Sequence, residues 1–249
     1  MIWQVSSVLA FIVTLVFNTL ATTGAIGGRT TAAISNAFPV VFTPANYVFS
    51  IWSVIYLGLL AFVVYQVLPA GQRNARLSLV RPLFVLSCVF NSTWIIAWQN
   101  EYFALSMLLM LGLLATLAAI YNRLKIGLKP ASGSDFWLVN GPFSVYLGWI
   151  SVATIANACV VLYSAGWTGG GIPWSVVLIA VATVLGLAFL NQRADVSYAL
   201  VLVWALVGIA VRNWGIPVVA YSALLGAAIL VLVIGLRGRR PQLAVPSRG

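Results

Sequence analysis

The composition of this 249-residue chain sets its broad class. Hydrophobic residues make up 62% of it and charged residues only 6%, and the mean hydropathy is +1.06, which excludes an ordinary soluble domain. The net charge is +10, but the sequence offers no soluble domain that could present a basic face, so we expect no nucleic-acid partner. The alternating pattern of membrane-spanning strands is absent, which argues against a β-barrel.

Long apolar segments recur along the whole chain, and each has about the 17–25 residues that cross a bilayer as a helix. The sequence therefore predicts an all-α, multi-pass transmembrane bundle of eight spans. The seventh segment is short, so seven spans is the alternative. In chain order, the predicted spans are 3–23, 47–68, 80–98, 102–121, 140–163, 172–191, 196–211 and 214–236.

The spans group into three parts. Residues 1–163 are predicted to form a five-helix bundle, residues 172–236 three further helices, and residues 237–249 a basic, disordered tail. The connection between the first two spans is long for a membrane protein, so it is either a functional loop over a site or a solvated linker. The last three helices have few polar residues and are predicted to be scaffold.

The basic residues favour the eight-span topology. With eight spans, 11 of the 13 Lys and Arg residues lie on one side of the membrane, and only Arg29 and Arg212 lie on the other. The positive-inside rule then assigns both termini to the cytoplasm. We expect an integral protein of a bacterial plasma membrane, with membrane lipids as its surroundings.

Four of the predicted spans carry a stripe that mixes aromatic and uncharged hydrogen-bonding side chains. Positions i, i+3, i+7 and i+11 share one helix face. Because an unsatisfied polar group in hydrocarbon costs several kcal/mol, these stripes must face protein. They are either interhelical contacts or the lining of an aromatic cavity for an apolar small molecule. The stripes are Ser7, Phe11, Thr14, Asn18 and Thr22; Phe49, Trp52 and Tyr56; Ser87, Asn91, Trp94 and Trp98; and Pro142, Tyr146, Trp149, Ala153 and Asn157.

Three segments carry motifs that can be compared with a known family. Residues 146–157 read YLGWISVATIAN, residues 47–62 read YVFSIWSVIYLGLLAF, and residues 90–98 read FNSTWIIAW. In this order they resemble the fifth, second and third helices of the TspO/translocator protein family, the tryptophan-rich sensory proteins. The chain departs from the family pattern at Tyr47, which replaces a tryptophan, and in the three-residue spacing of Phe49 and Trp52. It also continues for about three helices beyond the family's usual five.

The resemblance covers about residues 1–163 and implies a five-helix bundle with a pocket beneath the loop that joins the first two helices. Members of the family bind porphyrins, notably protoporphyrin IX, and in animals cholesterol and synthetic ligands. The chain would then be a divergent, C-terminally extended relative that uses no cofactor and takes protoporphyrin IX, a related tetrapyrrole or a lipid-like molecule as its ligand. The stripes and the resemblance together predict these ligand-binding residues: Phe49, Trp52, Tyr56, Asn91, Trp94, Trp98, Pro142, Tyr146, Trp149, Ala153 and Asn157.

The residues of common catalytic sites are scarce in this sequence. It has no histidine, and its three acids, Glu101, Asp135 and Asp195, fall at span ends or in loops, so we predict no metal site and no catalytic residue. The leading function is a ligand-binding membrane sensor or receptor, and the alternative is a transporter of apolar small molecules. The resemblance also raises porphyrin breakdown by an enzyme, as a less favoured function. A homodimer is compatible with the sequence.

Overall fold

A computed structural model describes residues 2–168 and 171–238. Within this part of the chain the structure is helical and contains no strand, which confirms the predicted all-α multi-pass bundle. Most of the predicted basic tail, residues 239–249, lies outside the described residues. The eight long helices agree with the predicted spans to within a few residues. They are α1 (Ile2–Thr22), α2 (Ile51–Val67), α3 (Arg81–Gln99), α4 (Phe103–Arg123), α5 (Gly141–Ser164), α6 (Gly171–Arg193), α7 (Val196–Arg212) and α8 (Pro217–Gly238).

Helix α7 decides between seven and eight spans. Seven helical segments are long and apolar enough to cross a membrane, whereas α7 has only 17 residues. Before its first turn, Asp195 accepts a hydrogen bond from Tyr121 at the end of α4. At its other end, Arg212 bonds Asn36 in the connection between α1 and α2. The end of α4 and the end of α1 lie on opposite faces of the bundle, so α7 also runs from one face to the other.

The two faces of the bundle differ in charge. The face that carries the starts of α1, α3, α5 and α7 is called the basic face here. The other face carries residues 24–50, which we call the cap. The cap contains a short helix, Thr31–Asn36, and a 3₁₀ turn, Asn46–Ser50, that leads into α2. Of the ten described basic residues only Arg29 and Arg212 lie on the cap face, and the other eight lie on the basic face: Arg73, Arg76, Arg81, Arg123, Lys125, Lys129, Arg193 and Arg237.

The helices pack as one bundle in which α7 connects the last three helices to the first five. Helix α3 packs against α1 and α4, α4 packs against α5, and α7 packs against α5, α6 and α8. Gly148 allows α5 to approach α7 closely, because a Cβ atom there would lie 3.1 Å from the Cβ of Val201 and 3.2 Å from the carbonyl oxygen of Tyr198. Large exposed tryptophans, including Trp3, Trp137 and Trp214, lie near helix ends, as expected for a membrane interface.

Candidate functional site

Trp52 is the centre of an aromatic cluster formed by α2, α3 and α5. Its ring stacks on Tyr56 and Trp94, with centroid separations of 5.5 and 6.2 Å. It also meets Tyr146 and Trp149 in edge-to-face contacts, each with a centroid separation of 6.2 Å. Such pairs each contribute about 0.5–1.5 kcal/mol beyond the burial of their area. The four-residue step on α2 and the three-residue step on α5 bring these rings to facing sides of their helices.

Two openings lie beside this cluster, beneath the cap. The larger, called the cavity, has a volume of about 560 Å³ and lies between α1, α2 and the cap. The smaller, called the cleft, has a volume of about 40 Å³ and lies between α2, α3 and α5. Phe49 and Trp52 line both openings and form the wall between them. Small-molecule sites usually have volumes of about 300–1,000 Å³, so the cavity alone is large enough for a drug-sized ligand.

The walls of the openings are uncharged. The cavity combines aromatic rings with the hydroxyl groups of α1, α2 and the cap, including Thr19, Thr22 and Ser53. The cleft is lined by aromatic and small side chains, with Asn157 and Ser35 as polar members. Among the described residues, no acidic or basic side chain lines either opening. The site therefore suits a molecule that is apolar or neutral where it contacts these walls.

Buried polar side chains of three helices form hydrogen bonds with one another beside the cavity. Asn18 Nδ2 on α1 donates to Asn91 Oδ1 on α3 at 2.7 Å, and Asn91 Nδ2 donates to the hydroxyl of Tyr146 on α5 at 2.9 Å. Asn91 is fully buried and Tyr146 is 2% exposed. The chain of hydrogen bonds joins Asn18, in the wall of the cavity, to α3 and α5, and it satisfies groups that hydrocarbon could not.

A second polar cluster lies at the cleft. Asn157 Oδ1 accepts a hydrogen bond from Trp94 Nε1 at 3.1 Å, and Asn157 Nδ2 donates to Ser106 Oγ at 3.1 Å. These bonds join α3, α4 and α5 and hold the indole of Trp94 in place. Tyr146 and Asn157, polar residues of the fifth-span stripe, thus form hydrogen bonds with side chains of neighbouring helices.

Two polar atoms of the aromatic cluster are left without a partner. The hydroxyl of Tyr56 and Nε1 of Trp149 are buried and make no hydrogen bond within the described part of the chain. Tyr56 lines the cavity, and Trp149, which is 3% exposed, lines the cleft. A buried polar group without a partner costs about 1–3 kcal/mol, and an acceptor atom on a ligand would remove that cost.

The structure brings most of the predicted site residues together. Asn91 and Tyr146 line neither opening, but Asn91 bonds both Tyr146 and Asn18, which lines the cavity. Pro142 lies outside both openings and faces Gly58 of α2, nearer the basic face. Eight predicted residues line an opening: Phe49, Trp52, Tyr56, Trp94, Trp98, Trp149, Ala153 and Asn157.

Several lining residues were not among the predicted ligand-binding residues. Asn18 lines the cavity, and its place in the first-span stripe was a signal that could have identified it. Thr31, Ser35 and Pro44 come from the cap. They follow no helical period across a span, so the sequence pattern gave no sign that they reach the site.

Helix α7 contacts the cap, although the last three helices were predicted to be scaffold. Trp204 Nε1 donates to the carbonyl oxygen of Val48 at 3.1 Å, and the amide of Ala45 donates to the carbonyl oxygen of Gly208 at 3.0 Å. A Cβ atom at position 208 would overlap with Val48, so only glycine permits this approach. Trp204 therefore supports the cap from outside the openings.

Comparison with known proteins gives one match. The chain matches the family described as TSPO-like protein over residues 4–236. The motifs in the sequence cover only about residues 1–163, whereas this match extends through α6, α7 and most of α8. No curated protein and no solved structure matches the chain.

Proposed function

From the premise that this chain belongs to the TSPO-like protein family and is an integral membrane protein, we propose that it binds a small apolar molecule beneath the cap. The ligand is a flat, porphyrin-like tetrapyrrole or a lipid-like molecule, held in the cavity and the cleft. The tetrapyrrole is proposed because the family resemblance implies it. The neutral, aromatic walls support the broader class of ligand.

The observation that carries this proposal is the pair of unpartnered donors in the aromatic cluster. Tyr56 and Trp149 each line an opening and keep a buried polar hydrogen without a partner in the described chain, and Trp52 contacts both rings. A protein interior normally satisfies such groups, and among the described residues these two unpaired atoms belong to side chains that line the openings. A ligand with acceptor atoms and a flat apolar surface would satisfy the donors and stack on the rings.

Binding is favoured over transport because neither the cavity nor the cleft is lined by a residue at the basic face. A transport route would have to pass the apolar core between the cavity and the basic face, which includes Phe11, Phe62 and Phe84. Porphyrin breakdown would have to use Trp and Tyr side chains, because no acid or base of the described chain lines the openings. By the positive-inside rule we further propose that the basic face is cytoplasmic and the cap lies outside.

The test is a titration of the purified, detergent-solubilised protein with protoporphyrin IX, followed by quenching of tryptophan fluorescence. We expect saturable quenching. In Trp149→Phe the half-saturating concentration should rise about threefold to tenfold, because one hydrogen bond contributes about 0.5–1.5 kcal/mol.

The matched control is Trp137→Phe, because Trp137 is 74% exposed and far from the openings. This variant should keep the wild-type midpoint, which is compared instead of the amplitude because each variant lacks one fluorophore. Linear quenching in all three proteins would indicate partitioning into detergent and would contradict the proposed function. Equal midpoints would contradict the assignment of Trp149.

A further inference from the structure

The cap is attached to α7 through residues 36–48, which make up about half of the cap. Beyond the contacts of Trp204 and Gly208, Asn213 Nδ2 donates to the carbonyl oxygen of Val41 at 2.9 Å, and Arg212 bonds the side-chain oxygen of Asn36. Trp204, Gly208 and Arg212 recur at intervals of four and form one stripe on α7, and Asn213 directly follows the helix at the end of this stripe. Cap residues 36–48 are thereby held to a membrane-spanning helix.

The start of the cap is attached to α3 and the turn that follows it. Trp98 Nε1 donates to the carbonyl oxygen of Thr31 at 3.4 Å, and Arg29 forms an ion pair with Glu101 at 2.7 Å. The ion pair is about half exposed, so it contributes little to stability. Together with α7, these contacts hold the cap on two sides of the openings.

The third side of the cavity, between α1 and α2, has no such attachment. Gln4 Nε2 donates to the carbonyl oxygen of Gln66 at 3.0 Å, which joins α1 to α2 at the basic face. Towards the cap, the described residues form no hydrogen bond between these two helices, and the cavity lies between them. Its rim there is formed by the exposed residues Thr19, Thr22, Ser50 and Ser53.

We propose that the ligand reaches the site sideways from the membrane, between α1 and α2, while the cap stays attached to α7. This inference rests on the proposed function. From Thr22, the last residue of α1, the cavity extends to Leu15, which is seven residues or about 10 Å deeper in the bundle. The opening therefore lies in the half of the bilayer next to the cap face.

The chemistry of the rim indicates which molecules can use this route. Hydroxyl groups of α1, α2 and the cap form the rim, at the depth where we expect lipid headgroups to meet the acyl chains, and the interior behind them is aromatic and uncharged. This order suits an amphipathic molecule that is already dissolved in the bilayer. Its apolar body would enter first, and its polar end would stay at the hydroxyl groups of the rim.

The experiment uses the full-length protein in vesicles and measures how fast protoporphyrin IX, added to the lipid phase, quenches tryptophan fluorescence. Ser53→Trp fills the opening from the α2 side. Because an obstacle on the route slows movement in both directions, we expect both association and dissociation to be slower than in the wild type. Val54→Trp is the matched control, since Val54 is 57% exposed, adjacent in sequence and does not line the cavity. Its rates should match those of the wild type.

A second arm tests the cap. Asn213→Leu and Trp204→Phe each remove one hydrogen bond to the cap, and amide hydrogen exchange of residues 36–48, measured without ligand, should become faster. The association rate of protoporphyrin IX should stay unchanged. If loosening the cap speeds association, or if Ser53→Trp binds and releases the ligand as fast as the wild type, the sideways route is wrong. If the wild type shows no saturable binding at all, the proposed function itself fails, and with it this route.

Discussion

Tyr56 carries a hydroxyl group that has no partner in the described chain, and this makes one substitution unusually informative. Tyr56→Phe removes the hydroxyl and leaves the ring stacked on Trp52. The ligand-free variant should unfold at a slightly higher temperature than the wild type, because a buried unsatisfied group is lost. Its affinity for protoporphyrin IX should fall about threefold to tenfold. Thermal unfolding in detergent and the fluorescence titration measure the two effects.

Higher thermal stability together with lower affinity separates a ligand-binding role of the Tyr56 hydroxyl from a packing role. If the hydroxyl only fills space, stability and affinity should change together or not at all. Tyr65→Phe is a suitable control, because the hydroxyl of Tyr65 donates to Asp135 at 3.2 Å near the basic face, away from the cavity. That variant should lose stability and keep its affinity.

Helical periodicity predicted which residues face the interior, but it did not predict how deep along the helix the site lies. On α5, Tyr146, Trp149 and Asn157 share the buried face, as their spacing requires. Pro142 shares that face as well, yet it lies nearer the basic face, outside both openings. A stripe runs the whole length of a helix, whereas a cavity occupies only part of it. Which part depends on the cap, whose position no local pattern encodes.

The turn before α7 joins three helices through one carboxylate. Asp195 Oδ2 accepts hydrogen bonds from Ser144 Oγ at 2.6 Å and from the hydroxyl of Tyr121 at 2.8 Å, while Oδ1 accepts from the amide of Tyr198 at 3.0 Å. Asp195 is 7% exposed. This side chain accepts the N-terminal capping bond of α7 and fixes the start of α7 against α4 and α5.

Asp195→Ala removes all three acceptor contacts. We expect a loss of about 2–4 kcal/mol in the free energy of unfolding, because the N-terminal capping bond of α7 alone contributes about 0.5–2 kcal/mol and buried donors are left unpaired. Asp195→Asn keeps a side-chain oxygen that can accept the bond from the amide of Tyr198, so it should lose less stability. Unfolding of the three proteins by dodecyl sulfate in mixed micelles measures the differences. Equal stability of the alanine variant and the wild type would contradict this role.

Element positions were predictable to within a few residues because apolar length is a local property of the sequence. The contacts that attach α7 to the cap were not predictable in the same way. Trp204 and Val48 are 156 residues apart, and the bond between them involves a backbone carbonyl, which every residue has. Gly208 likewise gives no signal by itself in an apolar helix. Such pairings appear only when the helices are assembled.

At the scale of the whole molecule, eight crossings bring the start of α1 and the end of α8 to the same face. Arg237, near the end of α8, bonds the carbonyl oxygen of Leu190 and the side chain of Asn191 near the end of α6, on the basic face. The charge asymmetry and the connectivity therefore agree. If α7 did not cross, the turn between α7 and α8 would lie on the basic face as well, which gives the topology a direct test.

Single cysteines on the two faces report this topology. Gly215→Cys lies in the exposed turn between α7 and α8, where a Cβ atom has open space around it, and Lys129→Cys lies in the exposed connection before α5. The native Cys88 and Cys159 are buried, so their background labelling should be low.

In intact cells a membrane-impermeant maleimide should label Gly215→Cys, and it should label Lys129→Cys only after the membrane is permeabilised. The reverse order would invert the proposed orientation, and equal behaviour of both positions would mean that α7 does not cross. With eight crossings and the proposed orientation, the cavity would open into the outer half of the bilayer, and a ligand dissolved in that half would reach the site without crossing the membrane.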